Sequence, residues 1–89
     1  MTLTLAQMDH NALALAVDIE RLTGYVPVRH GDGVIGADYE GREVIVSVQD
    51  DGTVSVALYT DDGEEIEAVA DELDYDARAV LDAIARLVL

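Results

Sequence analysis

The chain predicts an α+β fold: one helix, a four-stranded antiparallel meander and one or two closing helices, α-β-β-β-β-α(α), with the helices packed on one face of the sheet. Three observations predict it. Apolar residues recur at steps of three and four over residues 5–22. From Tyr25 to Thr60 the chain turns to short runs rich in Val, Ile, Thr and Tyr, divided by glycine-containing turns. Beyond Gly63 the spacing becomes helical again.

The first helix is announced by Thr4-Leu5-Ala6-Gln7, a capping box in which Thr4 accepts from the Gln7 amide and Gln7 reaches back. Leu5, Met8, Ala12, Leu15, Ile19 and Leu22 form its inner stripe, widened by Leu13 and Ala16, and Gly24 suits its left-handed end. Strands are expected over Tyr25–His30, Val34–Tyr39, Arg42–Gln49 and Thr53–Thr60. The turns between them are Gly31-Asp32-Gly33, Glu40-Gly41 and Asp50-Asp51-Gly52, where glycine supplies positive φ. Val44, Val46 and Val48 share a face with Val54, Val56 and Leu58, which predicts the buried side. Pro27 has no N–H to donate, so the first strand is expected at an edge or to be short. Ile66, Val69, Ala70 and Leu73 then read as a helical stripe. Asp74 is the expected N-cap of the final helix, with Asp76 in its first turn and Ala77, Leu81, Ile84 and Val88 facing inward.

Eighty-nine residues make one domain, 1–89, of a size that buries only about 60–65% of its unfolded surface. Its four aromatic residues are all tyrosine, so Val, Leu and Ile must fill the core. Without cysteine there is neither a disulfide nor a thiolate zinc site. No apolar run reaches the roughly 20 residues of a membrane span, and no basic segment precedes the first leucines. A cytoplasmic protein is expected.

The net charge is −14, with five arginines and no lysine. Residues 50–89 hold twelve acids against two arginines, whereas residues 1–49 hold seven against three. Direct nucleic-acid binding and attachment to an anionic membrane both lack a basic stripe. A basic protein is the natural counterpart.

The chemical motifs in the chain fall short of their physical requirements. A calcium loop with Gly52 or Gly63 at its sixth position would need an oxygen ligand first and Glu twelfth. The chain offers Ser47 with Leu58, or Leu58 with Val69. Turn chemistry explains both Asp-Asp-Gly triplets. His10 and His30 alone make no metal site. Glu67 and Asp71 have the number but not the cleft for acid–base work. Gly31-x-Gly33-x-x-Gly36 precedes a strand, so no helix N-terminus faces a pyrophosphate. No enzyme activity and no cofactor are expected.

The α-β-β-β-α part of this order is similar to that of the double-stranded RNA-binding domain, in topology alone. That family holds phosphate with basic residues at the start of its last helix, where this chain has Asp74 and Asp76. The resemblance implies that RNA binding would be lost or inverted.

What remains is the acid itself. Asp61, Asp62, Glu64, Glu65, Glu67, Asp71, Glu72, Asp74 and Asp76 lie within sixteen residues that contain no base. One reading makes them a contact surface that imitates nucleic acid, whose duplex carries one charge per roughly 1.7 Å. It docks on a basic, nucleic-acid-binding partner, as phage-made inhibitors of host defence nucleases (anti-CRISPR-like proteins) do. The alternative is a small accessory domain from a halophile or a GC-rich genome, whose acid keeps it dissolved. A secondary candidate surface is the sheet face opposite the helices, with Ile45, Ser47, Ser55, Ala57 and Tyr59, joined by Tyr25 and Arg29. It would serve docking or a homodimer.

Overall fold

Thr4 starts helix α1 (Leu5–Thr23) with the expected reciprocal cap. Its hydroxyl accepts from the Gln7 amide at 3.1 Å, and the Gln7 side chain accepts from the Thr4 amide at 2.9 Å. Gly24, at φ 77°, ends the helix by donating to the Glu20 carbonyl. The computed structural model describes residues 2–39, 41–60 and 62–88. Ala12, Leu15 and Ile19 are buried, with Met8 and Ala16 packed beside them. Leu5, Leu13 and Leu22, expected on or beside that stripe, are exposed. Nineteen helical residues run about 28 Å, longer than the strands beneath, and only the middle turns are covered.

Among the described residues the sheet has five strands, not four. They are β1 (Val28–Gly31), β2 (Val34–Tyr39), β3 (Arg42–Val48), β4 (Val54–Tyr59) and β5 (Ile66–Leu73), all antiparallel and side by side in chain order. The segment read as helical from Ile66 to Leu73 is the fifth strand. β4 is buried on one face, and without β5 one side of its backbone would lack hydrogen-bond partners. Satisfying that row outweighs the good helix propensity of an Ala- and Glu-rich segment. The pairing is irregular in two places. Val54 and Val56 face Leu73 and Ala70, and Leu58 and Tyr59 face Ala68 and Ile66, so β5 carries one extra residue at each shift. Glu72 takes up the first extra length at φ 56°. Ala68, Ala70 and Leu73 are the half-buried residues of β5, while Ile66 and Val69 are exposed.

The predicted buried rows are present in register: Val44 opposite Leu58, Val46 opposite Val56, Val48 opposite Val54. All six are at most 4% exposed. Both helices cover this face, α1 over β2 and β3, and α2 (Ala77–Val88) over β4 and β5. Ala77, Val80 and Ile84 close the core from α2. Fully burying a residue such as Leu15 or Leu58 stabilises by about 1.5–3 kcal/mol. A single helix follows β5, and its cap is Asp76 rather than Asp74. The Asp76 carboxylate accepts from the Ala79 amide at 3.2 Å, while Asp74 only offers its carbonyl to the Asp76 amide. The Tyr75 hydroxyl donates to the Asn11 carbonyl at 2.5 Å and ties this connection to α1. Burial, and then the charge of Asp18, push the Tyr75 hydroxyl's pKa up. No helix among the described residues is long and apolar enough to cross a membrane.

Candidate functional site

The acid-rich segment divides by task. Asp62 organises the β4–β5 turn: its carboxylate accepts from the Thr60 hydroxyl at 2.5 Å and the Glu64 amide at 3.1 Å. The hydroxyl bond, and then the amide, hold its pKa below the usual carboxylate value. Asp51 serves the β3–β4 turn in the same way, accepting from the Thr53 hydroxyl at 2.6 Å and amide at 2.9 Å, with the same downward shift. Glu67 pairs with Arg42, which also donates to the Tyr59 carbonyl at 2.9 Å. Asp76 caps α2. Glu64, Glu65, Asp71, Glu72 and Asp74 are exposed, and their side chains have no hydrogen bond or ion pair among the described residues. Asp61 lies outside the described residues. The cluster is thus a turn, one edge strand and a connection, and not two turns of helix.

The sheet face away from the helices has its own order. Ile45 lies opposite Ala57, and Ser47 opposite Ser55, each half-buried, with Tyr59 beyond them. The register carries the Ile45 row across the whole sheet: Val28, Gly36, Ile45, Ala57 and Val69 are consecutive partners on β1 to β5. Val28 is 59% exposed and Val69 49%. Gly36 leaves a dip that the His30 ring occupies; a Cβ there would lie 2.3 Å from His30 Nε2. One row away, Asp38 and Glu43 face each other across β2 and β3. Like charges placed so are unfavourable, and neither side chain has an ion pair among the described residues.

Two residues expected here lie elsewhere. Arg29 pairs with Ile35 in register, so its side chain goes to the helix side, where it donates to Asp9. That bond, aided by the charge, lowers the Asp9 pKa and raises that of Arg29. The Tyr25 hydroxyl accepts from the Asp38 amide at 3.1 Å, and its ring lines a cleft between α1, α2 and β2. That cleft is apolar and holds about 140 Å³, well under the 300–1,000 Å³ typical of cofactor sites.

Val28, Val69, Asp38 and Glu43 were not singled out from sequence. Val69 was hidden by the helical reading of its segment; the other three needed strand register. Among the described residues, no group of three or more His, Cys, Asp or Glu side chains converges on a metal-sized site, and no polar or charged residue is buried. Neither a family profile, nor a curated protein, nor a solved structure matches the chain.

Proposed function

We propose that this is a non-enzymatic, acidic protein-binding module that docks on the basic, nucleic-acid-binding surface of a partner protein, as an inhibitor imitating nucleic acid would. One observation carries the reading. Three acids of the segment, Asp62, Glu67 and Asp76, serve the fold, whereas Glu64, Glu65, Asp71, Glu72 and Asp74 are exposed without partners along one edge and its flanks. Charges kept together against their mutual repulsion are best neutralised by a cationic surface.

The test converts Glu64, Glu65, Asp71 and Glu72 to their amides, leaving the three structural acids intact. Immobilised wild-type protein in about 0.1 M salt should retain a basic protein that duplex DNA displaces, and the quadruple variant should not. Capture that survives both the variant and the DNA would overturn the reading.

The absence of lysine beside five arginines favours a second reading, a salt-adapted accessory domain whose acid serves solubility. Such a domain needs molar salt to screen its self-repulsion. The binding module should melt cooperatively, well above room temperature, in about 0.1 M salt. Thermal melts at both salt concentrations separate the two. Pairing of two copies through the open sheet face is a further arrangement, read by sedimentation.

A further inference from the structure

We infer that the uncovered sheet face seats a short, basic, amphipathic helix of the partner, laid along the Val28–Gly36–Ile45–Ala57–Val69 row. The inference rests on the protein-binding reading above and names the partner element. The row contains no charged residue, crosses all five strands in register and is exposed at both ends, with the His30 ring lying over Gly36 as part of the seat. Four strand spacings of about 4.8 Å make it roughly 19 Å long, the length of about thirteen helical residues. Its positions repeat every 4.8 Å or so, close to the roughly 5 Å between successive i, i+3 or i+4 residues on a helix face; four bear apolar side chains and the Gly36 position is filled by the His30 ring. The charge along its border selects the partner's sign. Asp38 and Glu43 lie on one flank, and Asp71 and Glu72 stand in β5 at one end. A helix with a leucine-type stripe and arginines beside it would bury the row and neutralise both.

A second copy of the chain fits less well. Each copy carries −14, and two identical faces would bring their Asp38–Glu43 pairs into one interface. The face projects only about 19 by 20 Å, roughly 400 Å², from strand spacing and rise. A stable protein pair buries about 800 Å² per partner.

The test uses two synthetic eighteen-residue helical peptides, with fluorescence anisotropy as the readout. One carries a leucine stripe at i, i+3, i+7 and i+11 with arginines on one flank; the other replaces the leucines with glutamine. The leucine peptide should bind wild-type protein at least tenfold more tightly than its control. Val69→Arg, at an exposed position, should remove that advantage while leaving the thermal melt unchanged, and Ile45→Arg should do the same where it folds. Equal binding of both peptides overturns the helix seat while leaving the basic-partner reading intact. No binding by either overturns the seat, and the capture experiment then judges the broader reading by itself. Sedimentation as a dimer that Val69→Arg makes monomeric also overturns it, since the occupant is then a second copy.

Discussion

Strands β3 and β4 present two faces from one backbone. On one, Val44, Val46, Val48, Val54, Val56 and Leu58 are sealed beneath α1 and α2. On the other, Ile45, Ser47, Ser55, Ala57 and Tyr59 are shielded only by their neighbours on the sheet. Strand register and backbone bonding are common to both, so the difference is in the side chains. Three consecutive apolar rows recruit helices, whereas a single apolar row between a row with carboxylates and a row with serines does not. The covered face stores stability, and the open face is left without a helix over it.

The largest test of this contrast is truncation of one residue on each side. Leu58→Ala empties a site that is 1% exposed and should cost about 3 kcal/mol. Ile45→Ala removes a half-buried group that nothing covers and should cost about 1 kcal/mol. Urea unfolding at pH 7 measures both. Equal losses would mean that the open face is packed as tightly as the core.

Two glycines sharpen it further. A Cβ at Gly33 would come 2.8 Å from Met8 Cβ, and the backbone there has φ 85°. Gly33→Ala therefore strains the chain and displaces α1, at a cost of about 2 kcal/mol. At Gly36 the obstacle is the end of the His30 side chain, which can rotate into solvent. Gly36→Ala should lose less than about 0.5 kcal/mol, and NMR should show the His30 ring resonances moving.

The smallest effect is acid sensitivity. Asp9, Asp51 and Asp62 all have folded-state pKa values below the unfolded value, which is about 3.9. A carboxyl lowered by folding contributes fully above its unfolded value and loses that contribution as pH falls through its folded one. Stability should therefore fall as the pH drops below about 4. Asp51→Ala should show a shallower fall in urea midpoints.

Most of the architecture was legible in the chain. Thr4, Gln7 and Gly24 mark the first helix because capping is local chemistry. The valines of β3 and β4 declare their face because side chains alternate along a strand. The segment from Ile66 to Leu73 was misread for a physical reason. Its apolar residues fit a helical stripe once two extra residues interrupt the strand alternation, and β4's need for a partner is not a local signal. The same misreading placed the acid on a helix and concealed Val69. The open face was legible at Ile45, Ser47, Ser55, Ala57 and Tyr59. Its full row was not, because joining Val28 to Val69 requires four registers at once, one of them with a strand unseen in the sequence.

The two outermost strands govern how this molecule can associate. β1 is four residues long, follows Pro27 and loses register between Arg29 and Gly31; β5 is interrupted twice and bears Glu67, Asp71 and Glu72. Neither border offers an unbroken template on which another chain could extend the hydrogen-bonded ladder. Growth into fibres by strand addition is thereby blocked at both borders. Flat stacking against a face is the route left open, and even a concentrated solution should stay free of cross-β aggregates.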